Sequence, residues 1–581
     1  MNSISVADPR SQLALLLANA VATVIPEQGG ATIVLERPKQ AGHGDYASNL
    51  ALQLAKPLKR NPRDIAQEVV QALLPSPLLA KAEVAGAGFI NLFLTPEAKQ
   101  SVVVDILARG KRYGRIGFGQ GRKTQVEFVS ANPTGPLHVG HGRGAAFGAS
   151  LANVLEAAGF AVTREYYVND AGRQMDILAL STWLRYLELN GLSISFPPNG
   201  YLGEYVRNMA RSIMLAHGRR YVHASGALLE GVASVDADAE AHLDGLIANA
   251  KRLLGQDYVY IHDFVLTEQL GDCRNDLLEF GVTFDCWFSE KSLYDTGAVE
   301  RALQKLASSG YLYEQDGAKW FRSTAFGDEK DRVVQRENGQ YTYFAPDIAH
   351  HLHKFERGFD LLIDVWGADH HGYAPRVKAA LQALELDPDL LTVALVQFAV
   401  LYRNGKKVSM STRAGEFVTL RELRNEVGND AARFFYVLRK SDQHLDFDLD
   451  LAKSQSSDNP VYYVQYAHAR ICSVLEQWGE DESSLRSADR AALVSDQELQ
   501  ILRLLLDYPA VIEDAACDLA PHLVAFYLKD LAAAFHSYYN STHFLVDDAG
   551  VRLARLSLIV AVRQILANGL AMLGVSAPAK M

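Results

Sequence analysis

Apolar positions along this 581-residue chain change their period several times. Residues 11–24 and 65–74 carry them at helical spacing, and two short apolar runs, 32–35 and 89–94, have the length of strands. This predicts a separate small α/β module over residues 1–115. From Lys123 to about Leu386 the two patterns alternate. Residues 124–129 read as a short buried strand, 145–156 (AAFGASLANVLE) as a helix, 163–168 as a second strand and 360–366 (DLLIDVW) as a later one. Such alternation predicts a Rossmann-like, doubly wound parallel sheet over residues 116–386. A long, largely helical stretch interrupts it, far longer than a βα connection needs, and predicts an inserted subdomain at about 183–331. Residues 387–455 read as a connecting region. After about Ser456 the strand signal disappears, and helical periods over 496–506, 519–539 and 551–573 predict an all-α bundle at 456–581.

Composition changes this picture little. The chain is too long for one core, and 49% hydrophobic and 22% charged residues are ordinary for a globular protein. No apolar run reads as long enough to span a bilayer. Residues 13–25 are apolar, but Asp8 and Arg10 before them give no positive leader region. Four cysteines (273, 286, 472 and 517) are scattered without a CxxC pair, which fits a reducing cytoplasm and offers no cysteine zinc site. A net charge of −11 argues against general nucleic-acid affinity. One local cluster runs the other way: Arg109, Lys111, Arg112, Arg115, Arg122 and Lys123 form either a phosphate-contacting patch or a solvated linker.

The chemistry concentrates at the turn after the first sheet strand, Glu127-Phe-Val-Ser-Ala-Asn-Pro-Thr-Gly-Pro-Leu-His-Val-Gly-His-Gly-Arg143. A turn joining a strand to a helix is where an open α/β sheet binds phosphorylated ligands, against the positive helix N-terminus. Glycines at 140, 142 and 144 leave room for close approach to the backbone. His138 and His141 can donate hydrogen bonds to phosphate oxygens. A second glycine-marked strand end, Gly367-Ala368-Asp369, places a carboxylate where ribose hydroxyls can bind. A basic loop follows at 405–415, Gly-Lys-Lys-Val-Ser-Met-Ser-Thr-Arg-Ala-Gly.

His138-Val139-Gly140-His141 resembles the HIGH signature of class I aminoacyl-tRNA synthetases, and residues 131–141 resemble the form found in arginyl-tRNA synthetases of the bacterial type. The 405–415 loop resembles the class's KMSKS loop, with Ser409 and Thr412 where the two lysines usually stand. Lys406, Lys407 and Arg413 are therefore alternative phosphate-binding cations. Segments 44–49 and 87–91 resemble the family's N-terminal additional domain, associated with the tRNA elbow. Residues 459–470, 568–575 and Met581 resemble its anticodon-binding bundle.

The resemblance implies a set of roles. His138, His141, Lys407, Ser411 and Arg413 would be catalytic, and Pro136, Gly140, Gly142, Gly367, Asp369 and Met410 would bind ATP. A guanidinium is planar, permanently charged and forked, so its selection requires carboxylates in matching geometry. Tyr343 and Asp347 resemble the family's arginine-binding pair. Asp347 can also serve as a helix N-terminal acid. Glu127 and Asn132 are implied substrate contacts, Asn132 on the α-amino group, with His370 or, alternatively, His371 nearby. Asn459, Tyr463, Gln465, Tyr466, His468 and Arg470 would face tRNA, although an aromatic stripe at helical spacing also suits a core.

The implied reaction is ATP-dependent activation of L-arginine to arginyl-adenylate, with transfer to the 3′-terminal adenosine of tRNA(Arg) through its 2′-hydroxyl, tRNA being bound before activation. It implies magnesium carried by ATP, no dedicated metal or organic cofactor, no editing domain, no membrane association, and a cytoplasmic monomer. Two rival readings are a class I ligase for another amino acid, such as cysteine or glutamine, and a non-catalytic tRNA-binding relative. A cysteine enzyme would need zinc ligands that the scattered cysteines do not provide. Only the altered lysines of the basic loop favour the non-catalytic reading.

Overall fold

The computed structural model describes residues 9–28, 30–38, 41–408 and 418–581. The N-terminal module runs α1 (Pro9–Val24), β1 (Tyr46–Ser48), α2 (Leu50–Leu58), α3 (Pro62–Gln71), β2 (Leu79–Ala85), β3 (Phe89–Leu94) and α4 (Pro96–Arg109). Strand β3 pairs antiparallel with both β1 and β2. Asn61 and Thr95 cap α3 and α4 by accepting from backbone N–H groups, each followed by proline at the first helical turn. The strand expected over 32–35 does not form. Ala31, Ile33 and Leu35 do pack inward while Thr32 and Val34 are exposed, but among the described residues the backbone next to the run pairs only at one bridge, Glu36 to Ala47.

The catalytic body opens with β4 (Lys123–Glu127), α5 (Val139–Ala157), β5 (Ala161–Val168) and α6 (Arg173–Leu189). Helices α7 (Glu204–His217), α8 (Ser225–Leu228), α9 (Ala239–Leu254) and α10 (Gln256–Glu279) pack with α6 around a core of their own, including Leu178, Trp183, Val206, Leu243 and Val265. Here the predicted insertion at 183–331 needs correction. Cys286–Ser289 is a sheet strand, β6, pairing parallel with β5. After α11 (Lys291–Asp295) and α12 (Ala298–Ser308) comes a small antiparallel sheet of β7 (Leu312–Gln315), β8 (Ala318–Phe321) and β9 (Arg332–Gln335). At four half-buried residues, β6 is too short for its period to register against the helices before it.

Then follow α13 (Phe344–Glu356), β10 (Leu361–Gly367), α14 (Ala374–Ala383) and β11 (Leu391–Val396). The five parallel strands lie in the order β11-β10-β4-β5-β6. The chain leaves β4 towards β6 and returns to β10 on the other side of β4. The C-terminal ends of β4 and β10 therefore flank a switch point, where an open sheet offers its binding crevice.

Beyond the sheet, β12 (Ala399–Arg403) pairs with β13 (Lys406–Lys407), and, after α15 (Leu420–Val427) and α16 (Asn429–Val437), with β14 (Leu445–Asp448). A short α17 (Leu449–Lys453) leads to the bundle of α18 (Pro460–Trp478), α19 (Asp496–Cys517), α20 (His522–Ser541) and α21 (Ala549–Met572). Contrary to the sequence reading, α21 is long and apolar enough to cross a bilayer. Its apolar window is 72% buried inside the bundle, so it is a core helix.

Arg433 joins these bodies. Fully buried on α16, it donates to the carbonyls of Leu573, Phe280 and Gly281, tying the end of α21 to the end of α10. Gly574, at φ +67°, lies so close that a Cβ there would meet the guanidinium at 2.3 Å. A guanidinium held by three carbonyls cannot swing aside. Gly574→Ala should therefore cost about 2–4 kcal/mol through left-handed backbone strain and overpacking, seen as bundle unfolding at lower urea concentration.

Candidate active site

The turn after β4 begins with strained backbone. Val129 and Ser130 have φ of +68° and +40°, in the left-handed region that side chains, β-branched ones above all, disfavour. The conformation aims Ser130 Oγ back at the sheet, where it donates to Glu127 Oε1 (3.2 Å) and accepts from Tyr167 N–H (3.1 Å). Tyr166 Oη donates to the carbonyl of Ala131 at 2.8 Å. Strain of this kind persists only where neighbours over-determine it.

At the other end of the turn, two histidines cap α5. His138 Nδ1 accepts from Gly140 N–H (3.1 Å) and His141 Nδ1 accepts from His138 N–H (3.3 Å), with the rings stacked 3.7 Å apart. Burial lowers the pKa of both, that of His141 to about 3 with His138 adding to the effect, so both are neutral at physiological pH. Since each Nδ1 accepts, the proton sits on Nε2. The helix N-terminus thus carries two Nε2–H donors as well as its own dipole. The turn is stitched to the chain just beyond the 409–417 loop: Val139 N–H donates to Val418 (3.2 Å) and Leu420 N–H to Leu137 (2.7 Å).

Two cavities meet at this turn. The larger, about 500 Å³, is bordered by His138, Gly140, His141, Gly144, Asp369 and Phe398. The smaller, about 400 Å³, is bordered by Glu127, Tyr167, Glu290, Tyr343, Asp347 and Tyr373. Ser130, Asn132, Gly367 and His370 belong to both and form the seam.

Beneath the smaller cavity, three adjacent strands present carboxylates side by side: Glu165 on β5, Glu127 on β4 and Asp364 on β10. Helix α13 answers with cations and imidazoles. Lys354 Nζ, fully buried, lies 2.8 Å from Glu127 and 2.6 Å from Asp364. His350 reaches Glu127 and His351 reaches Asp364, both at 2.9 Å, and Arg357 clasps Glu165. Burial alone would raise the pKa of Glu127, but Lys354 and His350 outweigh it and hold the carboxyl well below its usual range. Burial pushes His350 down to about 4. Oxygens of Glu127 and Glu165 and a nitrogen of His350 cluster closely enough for a metal ion, but Lys354 and Arg357 already neutralise those acids.

The remaining carboxylates differ. Burial raises the pKa of Asp347 despite a hydrogen bond from Tyr373 Oη. Burial also pushes Glu290 up to about 7, with nearby Asp347 and Asp170 adding to the rise against the hydrogen bond from Tyr167. A buried and a half-buried acid at a cavity wall, neither ion-paired among the described residues, are arranged for a cationic ligand. Glu290 was not anticipated. It follows β6 directly, its N–H bonded to the Val168 carbonyl, so recognising β6 would have marked it as a strand-end carboxylate.

The other anticipated residues fall into groups. Asn132, Gly140, Gly367, Asp369, His370 and Tyr343 border the cavities, Tyr343 69% exposed at the rim. Pro136 borders neither. Gly142 does not border the larger cavity; a Cβ there would press on Leu420 and Tyr436 at 2.8 and 3.0 Å, so its smallness serves helix packing. Lys407 is exposed on β13. Met410, Ser411 and Arg413 lie outside the described residues.

On α18 three expected RNA contacts are committed inward. Asn459 donates to the carbonyls of Ala452 and Ser454, Gln465 to Asp430 and Ser576, and His468 is bonded to the Pro578 carbonyl. All three are buried, so burial has claimed their polar atoms. Tyr463, Tyr466 and Arg470 stay partly exposed. Tyr466 stacks on Tyr462 with centroids 5.6 Å apart, and Arg470 lies 4.3 Å over the Tyr466 ring.

Comparison with known proteins bears on this geometry. Residues 11–94 match the arginyl-tRNA synthetase N-terminal domain, 102–192 and 261–447 the class I (R) tRNA synthetase catalytic domain, and 464–581 the DALR anticodon-binding domain. Arginine–tRNA ligases of Nitrosospira multiformis and an Azoarcus species are 69% and 65% identical, each covering 99% of this chain and 99% and 100% of their own. An arginyl-tRNA synthetase structure from Campylobacter jejuni aligns with a TM-score of 0.75 at 32% identity, covering 84% of this chain and all of its own. One from Thermus thermophilus shares the fold, with a TM-score of 0.74 at 24% identity over 98% of this chain and all of its own. With all three domains matched, and with relatives this similar over nearly the whole chain, the protein belongs to the arginyl-tRNA synthetases.

Proposed function

We propose that the smaller cavity holds L-arginine, its guanidinium on Asp347 and Glu290, and that the larger holds ATP. As an arginine–tRNA ligase, the enzyme joins arginine to ATP and then to tRNA(Arg). The observation that carries the assignment of sites is the contrast among the carboxylates. Glu127, Glu165 and Asp364 are already neutralised by α13, whereas Asp347 and Glu290 face the cavity with no ion-paired cation among the described residues. This revises the direct role expected of Glu127, which instead braces the pocket floor. A forked guanidinium with five donors satisfies two separated carboxylates in a way that a lysine ammonium does not.

With its side chain in that pocket, arginine points its carboxylate to the seam. Asn132 is the group for the α-amino end. An oxygen of the arginine carboxylate attacks the α-phosphorus of ATP, the bond to the β-phosphate oxygen breaks, and pyrophosphate leaves. The Nε2–H groups of His138 and His141, neutral and pre-aligned, donate to phosphate oxygens as charge shifts in the transition state. Asp369 is the ribose group. By family resemblance Lys407, Met410, Ser411 and Arg413 serve the phosphates, and magnesium arrives on ATP. Transfer then proceeds through the 2′-hydroxyl of the terminal adenosine. Tyr463, Tyr466 and Arg470 offer the stacking platform for anticodon bases, and the N-terminal module meets the tRNA elbow. Family membership supports a cytoplasmic enzyme acting as a monomer.

ATP–pyrophosphate exchange dependent on arginine, measured with and without tRNA(Arg), tests the assignment. No exchange with arginine under either condition would refute it. Asp347→Asn should lower kcat/KM for arginine about 100-fold, a loss of roughly 3 kcal/mol for one buried charged partner, with KM for ATP little changed. Glu290 gives a pH signature. Its carboxyl, pushed up to about 7, is protonated below that pH, whereas the guanidinium stays charged throughout. Hence kcat/KM for arginine should fall as pH drops through about 7, arginine binding near pH 7 should release protons, and Glu290→Gln should abolish that limb. On the tRNA side, Tyr466→Ala should raise KM for tRNA(Arg) by about 5–100-fold, the worth of one stacked base. Asn459→Ala, by contrast, should lower bundle stability.

A further inference from the structure

Residues 193–260 fall between the two stretches matched to the class I catalytic domain, and their helices pack around a core distinct from that of the sheet. Yet this body touches the signature turn at its crest. Tyr205, in the first turn of α7, donates from Oη to the carbonyl of Thr134 at 2.7 Å. Tyr201 is hydrogen-bonded to Thr134 as well, and its backbone N–H is tied to Ser181 Oγ on α6 at 3.0 Å. Asn132 Nδ2 donates to Gln174 Oε1, also on α6, at 2.9 Å. The fit is close: a Cβ on Gly135 would meet Tyr205 Oη at 3.1 Å, and its three nearest neighbours would all be atoms of that side chain.

The two ends of the turn are secured by the sheet and by the cap of α5. Its crest, residues 132–135, reaches outward from a base of two left-handed residues. Strained backbone relaxes unless held at several points, and this crest is held from outside the turn by Gln174 of α6, Tyr205 of α7 and Tyr201 of the loop between them. We infer that Tyr205 is a positioning residue for amino-acid activation. From a helix outside the matched catalytic domain, it fixes the crest so that Asn132 and the Nε2–H of His138 face their substrates. The inference rests on the assignment of the smaller cavity to arginine.

The test is ATP–pyrophosphate exchange at saturating tRNA(Arg), with thermal melting alongside. Tyr205→Phe keeps the ring and removes the hydroxyl. It should lower kcat/KM for arginine about 5–20-fold, a loss of alignment, with KM for tRNA(Arg) and the melting temperature unchanged. Gly135→Ala should cause a similar loss by displacing the hydroxyl. The two substitutions together should be no worse than the more severe one, since both break the same contact. Wild-type arginine kinetics in Tyr205→Phe, a loss accompanied by an equal fall in stability, or multiplicative effects in the double variant would each overturn the inference. Absence of arginine exchange in the unaltered enzyme would instead overturn the assignment of the cavity.

Discussion

One ammonium sits at the centre of the catalytic body. Lys354 Nζ is buried between Glu127 and Asp364, carboxylates from neighbouring parallel strands. Removing such a charge from water costs several kcal/mol, and only close pairing with further hydrogen bonds offsets it. His350, His351, Ser130 and Arg357 complete that pairing. The arrangement admits little freedom, because sliding or rotating α13 would strand a charge in the interior. The same helix carries Asp347 in its first turn, two turns before Lys354. The position of this cavity-wall carboxylate is thus inherited from an ion cluster beneath the cavity.

The layering explains how the pocket can hold many acids and still discriminate. In a row of carboxylates all open to ligand, a cation could settle in several places. Here three are spent on structure, and two, each with its pKa raised by burial, stay open to the cavity. In the proposed mode of binding, a guanidinium would supply both charge and directional donors to these two, relieving a desolvation penalty the fold has already incurred.

Much of this was legible in the sequence, and the reasons for the gaps are specific. The turn between β4 and α5 carried residue types rare in combination, so the histidine cap, Asn132 and the order of domains could be read. Gly367 and Asp369 were singled out by their place at a strand end and Asp347 by the family resemblance, and all three border the cavities. Glu290 was missed because β6 has four half-buried residues and hence no period. Glu127 was placed in contact with substrate because its buried partners lie more than 200 residues away. Asn459, Gln465 and His468 looked like RNA contacts beside their aromatic neighbours. A sequence does not show that Asn459 ties down the segment entering α18, or that Gln465 and His468 bond to Ser576 and Pro578 packed against it. Gly142 was read as room for a nucleotide when it is room for Tyr436.

The packing of α4 and its following turn against the bundle bears on how the protein is made. Gln100 donates to the carbonyl of Leu493, Tyr113 to that of Leu505, and Asn568 to those of Gly110 and Tyr113. The N-terminal module therefore has part of its surface completed by residues translated several hundred positions later. Until α19 and α21 emerge, that surface stays bare. Synthesis at roughly 5–20 residues per second leaves the gap open for tens of seconds. During that interval the nascent chain is a client for holding chaperones, and premature termination within the bundle would release a catalytic body with its underside uncovered.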